Sequence, residues 1–302
     1  MKSKSHHSGT FSFIEQKIRQ DADGTEFGFD FEWLCKWYLQ HAPEYQHTLE
    51  QVWLWKEWPD RWTEDERGID IVARTRDGQL WAIQAKAWAP DRSLTLKDIS
   101  SFLSESNRAV FSYRLLMATT DNLTRNAQIA IDGQEKSIGC LMRGDLITAD
   151  LEWPTQIGES TPPSPQWTPR LHQRKAIEAV LQGFNNHDRG RLIMACGTGK
   201  TLTGMWIAER LETHSTLILV PSLSLVAQNL AEWCRHSSHN FDYLVICSDK
   251  TVVKKGQDSA ISSTTELGIP VTTDVDEIRQ FMTTQHDDRP TVIFATYQSS
   301  DR

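Results

Sequence analysis

No stretch of this sequence approaches the roughly 20 consecutive apolar residues that a membrane-crossing helix needs. The start, MKSKSHHSGTFSF, also lacks the long apolar core of a secretory leader. No membrane partner and a cytoplasmic location are therefore expected. Cysteine is sparse. Cys35, Cys140, Cys196, Cys234 and Cys247 are scattered without a CxxC pair, which argues against a zinc site or a disulfide framework. A basic excess is missing too: the net charge is −8, so a nucleic-acid partner would have to meet a locally positive groove. Internal repeats and low-complexity tracts are absent. What is there is 302 residues, 39% hydrophobic and 24% charged, enough for two globular domains that each bury a core.

A boundary lies in the middle. Residues 154–169 read PTQIGESTPPSPQWTP, whose prolines remove backbone donors and bias their neighbours away from helix. We read a first domain over 1–153, a linker over 154–169 and a second domain over 170–302.

The first domain has an α/β pattern. In FDFEWLCKWYLQHA, the spacing of Phe31, Leu34, Trp37 and Tyr38 predicts an amphipathic helix with Glu32 near its start. VWLWKEWPDRW, with four tryptophans, predicts a strand and a packed turn, with base stacking as the alternative use of the rings. GIDIVARTRDGQLWAIQAKA predicts two strands joined at Asp77-Gly78. Further on, a helix is expected near Leu96 to Asn107, a strand at Tyr113 to Thr119 and a helix from Arg125. Thr119 and Thr120 are expected to cap that helix rather than to touch phosphate.

Residues two apart on a strand share a face, so Asp70 on one strand can converge with Gln84 and Lys86 on the next. Such a group has a use in phosphodiester cleavage, which needs a hard cation to neutralise developing charge and acidify a water. Asp70, the Gln84 side-chain oxygen and the Ala85 carbonyl would be its ligands. Lys86 would orient the water or stabilise the transition state, and Glu32 would reach the metal directly or through water. The order Glu32, Asp70, Gln84-Ala85-Lys86 resembles the PD-(D/E)xK nucleases, and the QAK form is similar to their Mrr-like restriction branch. Glu26 and Asp30 share the turn region of Glu32 and remain alternatives to it.

The second domain carries RLIMACGTGKTLTGMWIAERL, read as an apolar strand, a glycine turn and a helix from about Lys200. Gly197, Thr198 and Gly199 would cradle phosphate with backbone amides, Lys200 would reach the β and γ phosphates of ATP, and Thr201 would ligate Mg2+. Met194 stands where a phosphate loop usually starts with glycine. MACGTGKT resembles the variant found in superfamily 2 helicases and restriction-enzyme motors. That resemblance makes Gln173 the reader of the adenine edge. It makes Pro221, Ser222 and Gln228 strand-gripping residues after the TLILV strand, and Thr296-Tyr297-Gln298-Ser299 a later element of the same kind.

An Mrr-like nuclease joined to such a lobe, with SDKTV and PVTTD between the gripping elements, resembles the N-terminal part of type ISP restriction-modification enzymes. The implied fold is α/β: a restriction-endonuclease-like mixed sheet, then a RecA-like parallel lobe truncated before motif II. The implied activity is Mg2+-dependent cleavage of double-stranded DNA, fused to an ATP-binding translocase lobe. Hydrolysis of ATP is expected to be almost nil in this chain. A complementing chain with the rest of the motor and a methyltransferase is the expected partner. The alternatives are a non-catalytic DNA-binding remnant and a helicase-associated anti-phage or repair nuclease.

Overall fold

The computed structural model describes residues 9–21, 24–65, 67–159, 167–247, 263–284 and 289–299. The chain divides into two compact units. One is Met1–Pro163 with Thr265–Pro270, and the other is Ser164–Thr264 with Val271–Arg302. SDKTV lies outside the described residues, as does the middle of the expected linker.

The first unit is built on a mixed five-stranded sheet, in the order β1 (Leu49–Leu54), β2 (Ile71–Thr75), β3 (Leu80–Lys86), β4 (Phe111–Ala118), β5 (Ile138–Leu141). β1, β2 and β3 pair antiparallel, whereas β3, β4 and β5 run parallel. The β2–β3 turn is Asp77-Gly78, where Gly78 takes φ +84°, a conformation that a side chain would strain. β4 lies between two strands and alternates only between one core face and the other, so its residues are buried apart from Ser112.

Helices cover both faces. α1 (Phe11–Asp21) buries Phe11, Ile14, Glu15 and Ile18, a stripe at helical spacing. α2 (Gly24–His41) packs on β1 and β3, with Phe31, Leu34, Trp37 and Tyr38 all buried. α3 (Pro43–Thr48) leads into β1. Over the other face lie α4 (Leu96–Glu105) and α5 (Arg125–Asp132). α4 begins where the Asp98 carboxylate accepts the Thr95 N–H at 2.8 Å, and α5 begins at Thr124, whose hydroxyl accepts the Ala127 N–H. Their apolar faces meet Val72, Ala82, Phe111 and Leu116 in one core. Each such buried side chain contributes roughly 1.5–3 kcal/mol.

The tryptophans of VWLWKEWPDRW belong to this packing. Trp55 and Trp58 are fully buried, and Trp62 meets both edge-on at 5.0 and 5.6 Å. α6 (Arg143–Thr148) follows β5. The segment Thr265–Pro270 also belongs to this unit: Ile269 is buried, and Tyr45 Oη donates to the Gly268 carbonyl at 2.7 Å.

The second unit has a parallel sheet in the order β6 (Ser215–Val220), β8 (Thr291–Thr296), β7 (Asp242–Ile246). With it are α7 (Leu171–Phe184), α8 (Lys200–Arg210), α9 (Leu223–His236) and α10 (Val275–Thr283). One expectation fails. RLIMA at 191–195 is not a strand, and Leu192 and Ile193 are 41% and 83% exposed. An extended segment needs a neighbour for its backbone N–H and C=O groups, and no described strand lies beside this one.

Candidate active site

The hairpin brings the predicted residues of the first unit together. The β2–β3 register pairs Ile71 with Ile83 and Val72 with Ala82, and Asp70 immediately precedes β2 at this end of the hairpin. Asp70 N donates to the Ile83 carbonyl at 3.0 Å, and Asp70 Oδ2 accepts the Ala85 N–H at 2.8 Å. The carboxylate is thereby held against the middle residue of the QAK triplet. Lys86 lies two residues beyond Gln84, on the same face and half-buried.

Gln84 is the most telling side chain. It is fully buried, its Nε2 donates to the Gly68 carbonyl at 3.0 Å, and its Oε1 has no hydrogen-bond partner. A buried acceptor left so costs about 1–3 kcal/mol, a debt that a bound cation would remove. The oxygens offered are a carboxylate, an amide oxygen and a backbone carbonyl, the hard donors suited to Mg2+ or Mn2+. Among the described residues no three His, Cys, Asp or Glu side chains gather into a metal-binding group. A cation here would therefore depend on neutral oxygens as well as on charge.

Glu32 joins the neighbourhood through Cys35, which is buried in α2. Burial first, then the charges of Glu32 and Asp70, push the Cys35 thiol well above its ordinary range. Asp30 belongs to a different surrounding: burial raises its pKa, and Glu26 and Asp21 raise it further. Glu32 lies in the middle of α2, not near its start as the pattern predicts, and its charge and that of Asp70 both act on the Cys35 thiol.

Behind Lys86 the chain turns into a loop that the sequence reading passed over. Thr119 Oγ1 accepts the Trp88 N–H at 2.8 Å and donates to the Trp88 carbonyl at 2.6 Å. Thr120 Oγ1 reaches the carbonyls of Pro90 and Arg92 at 3.1 and 2.7 Å. Both threonines are fully buried, so they fasten the loop after β3 and neither cap α5 nor face a phosphate. Arg19 also donates to the Trp88 carbonyl, at 2.6 Å, while Glu15 pairs with Arg19 and Arg143 at 2.9 Å each. A signal for the loop was present: Trp88 continues the alternation of Gln84 and Lys86.

In the second unit, Gly197 and Gly199 take φ +74° and +76°, and Gly199 caps the start of α8. Lys200 Nζ is folded back onto the Ala195 carbonyl at 3.1 Å, where Thr198 Oγ1 also donates at 2.7 Å. Gln173 is buried against this loop. Its Oε1 accepts the Arg170 N–H at 2.8 Å, and its Nε2 donates to the carbonyls of Thr198 and Gly199 at 3.3 and 3.4 Å. The amide thus braces helix and loop, where the sequence expectation had it face a base. A cavity of about 410 Å3 opens here, lined by Trp167, Thr168, Arg170, Gln173, the loop residues 197–199, Leu202 and Trp206. Thr201 is half-buried at the start of α8. Ser222 caps α9 through its hydroxyl, Gln228 pairs with Glu232 on the surface, and Thr296 is bonded to Ser299.

Two family models match. Residues 40–161 match a restriction endonuclease family (Mrr_cat_2), and residues 166–302 match the type III restriction enzyme res subunit family (ResIII). The chain joins a restriction nuclease domain to a helicase-type domain. The first match contains Asp70, Gln84, Ala85 and Lys86 and begins after Glu32, and the second contains the glycine loop. The two domains together resemble the solved structure of the ATP-dependent type ISP restriction-modification enzyme LlaBIII bound to DNA. The TM-score is 0.81 at 29% identity, covering 96% of this chain and 18% of that enzyme. A probable helicase of African swine fever virus is 31% identical over 132 residues, 43% of this chain and 14% of its own. UvrABC system protein B of Bifidobacterium longum subsp. infantis is 41% identical over 68 residues, 22% of this chain and 10% of its own. The chain thus spans less than a fifth of each of these relatives. No helix among the described residues is long and apolar enough to cross a membrane.

Proposed function

We propose that the nuclease domain cleaves phosphodiester bonds of double-stranded DNA with a divalent cation held by Asp70, Gln84 Oε1 and the Ala85 carbonyl. The observation that carries the reading is the orphaned, buried Gln84 Oε1, one residue before the Ala85 amide to which the Asp70 carboxylate is pinned. Mg2+ or Mn2+, when bound, supplies charge neutralisation at the phosphate and a more acidic water. Lys86 contributes a positive charge on the same face, where it steadies the nucleophile or the developing oxyanion. Glu32 adds a second carboxylate from α2.

In the helicase-type domain we assign ATP to the glycine loop. Lys200 would exchange the Ala195 carbonyl for phosphate oxygens, the exposed amides at the start of α8 would meet the same charge, and Thr201 would ligate the accompanying Mg2+. Arg170 and the loop amides line the cavity, which favours binding of the anionic nucleotide. The exposed Leu192 and Ile193 and the edge strand β6, with Leu217 58% exposed, suit a complementing strand from further polypeptide that would complete the sheet.

The test is incubation of the chain with supercoiled plasmid, with and without Mn2+ or Mg2+. Cutting should require the cation and fall by about 10²–10³ in rate in Lys86→Ala. DNA binding that survives this substitution, with no cutting by the unsubstituted chain, would leave a DNA-binding module without catalysis.

A further inference from the structure

The loop after β3 presents a cationic and aromatic surface beside the nuclease residues. The Arg92 guanidinium lies 3.3 Å from the centroid of the Trp88 ring, while its side chain remains 47% exposed. Asp98 approaches it at 3.6 Å from the start of α4. Burial pushes the Asp98 carboxyl up, but the Thr95 N–H and hydroxyl, with Arg92 and Lys86, hold it below its ordinary range. Asp98 therefore feels both Lys86 and Arg92, which ties the loop to the end of the catalytic strand.

The loop is also tied down along its backbone. Its backbone is fastened at Trp88, Pro90 and Arg92 by Thr119, Thr120 and Arg19, and Leu94 N donates to the Asn122 carbonyl at 2.8 Å. A cation that is stacked on a ring and carried by a fixed backbone loses little freedom when it binds an anion. The protein as a whole is acidic, at −8. Arg19 and Arg143 share Glu15, Arg19 holds the Trp88 carbonyl, and Arg92 stays exposed between Asp91 and its partner Asp98. A stacked, exposed guanidinium of this kind suits a phosphate of a nucleic-acid strand.

We propose that Trp88 and Arg92 form a ledge that grips a phosphate of the DNA strand next to the bond to be cut, and so positions that strand over Asp70, Gln84 and Lys86. The inference rests on the nuclease reading for its location. Arg92 supplies the planar donor fork for the phosphate, and Trp88 fixes the plane of that fork. Arg92 is a positioning residue: it orients the substrate and takes no part in bond making.

The test is binding of a labelled duplex to the full chain in EDTA, from about 50 to about 200 mM salt. Arg92→Ala should lower the affinity several-fold and flatten the slope of log K against log salt by about 0.9, the signature of one phosphate contact. Arg92→Lys should keep the slope and recover part of the affinity. Trp88→Leu should weaken binding at unchanged slope, because the charge stays while its platform goes. Unchanged melting temperatures would certify the folds. Wild-type affinity and slope in Arg92→Ala would overturn the ledge. If the plasmid is cut, Lys86→Ala abolishes the cutting and Arg92→Ala binds normally, the ledge fails and the nuclease reading stands. If no cutting occurs with any cation but the Arg92→Ala slope still changes, the ledge stands as a DNA grip and the nuclease reading fails.

Discussion

Gln84→Met separates a metal site from an ordinary buried glutamine. The substitution keeps length and volume, and removes both the orphaned Oε1 and the Nε2 bond to the Gly68 carbonyl. Without cation these changes oppose each other. Losing the orphan relieves about 1–3 kcal/mol, while losing the bond costs about 1 kcal/mol, plus part of the cost of stranding a Gly68 carbonyl that is itself only half-buried. The net change should lie within about 1 kcal/mol of zero. With cation the outcome differs sharply. At about 100 times its Kd, a bound ion stabilises the native protein by about 2.7 kcal/mol, which for a domain of this size raises Tm by about 5–10 °C. Calorimetric melting of both proteins across a Mn2+ titration should show that rise in the first transition of the wild type and its loss in Gln84→Met. A variant that is several kcal/mol less stable without metal, yet keeps the full Mn2+ response, would refute the reasoning: Gln84 would then be a structural strut.

Two further outcomes are expected. Lys200→Ala should lower ATP affinity by about tenfold or more, read by fluorescent-nucleotide displacement, since a charged hydrogen-bonding partner is lost; unchanged affinity would remove Lys200 from the phosphate site. Asp145→Asn should show pH-dependent stabilisation. Burial first, with Glu266 and Asp121 adding repulsion against the Met142 N–H bond, raises this carboxyl from 3.8 to about 6. The folded form thus keeps a proton that the unfolded chain releases, so stability falls as pH climbs from about 4 through about 6. Asparagine keeps an acceptor for Met142 N without the charge, so its Tm should exceed the wild-type value above pH 6 and converge with it near pH 4; a constant gap would exclude this titration.

Local pattern carried much of the first domain. The stripe of α2, the Asp77-Gly78 turn and the alternation through Asp70 and Gln84 are properties of short segments, and each sets geometry within a few residues. What stayed hidden depends on partners distant in sequence. Arg114 sits in an apolar run that reads as pure core, yet its guanidinium is fully buried and is bonded to Gln134 and the Lys136 carbonyl, with its pKa lowered to about 10 by burial. The hydroxyls of Thr119 and Thr120 find their acceptors some thirty residues away. The apolar run 191–195 has the composition of a strand, but composition cannot supply the neighbour that makes it one. Gln173 entered through a resemblance alone, and no local pattern reveals that its amide accepts the Arg170 N–H.

The crossing of Thr265–Pro270 into the nuclease unit bears on how the halves could ever be parted. A fragment ending at Pro163 would keep Tyr45 but forfeit the carbonyl that its hydroxyl holds, and would bare the surface that Ile269 covers. The complementary piece would carry a stray six-residue loop whose Ile269 has lost its seat. One scission cannot separate these bodies cleanly, because the polypeptide visits the first of them twice.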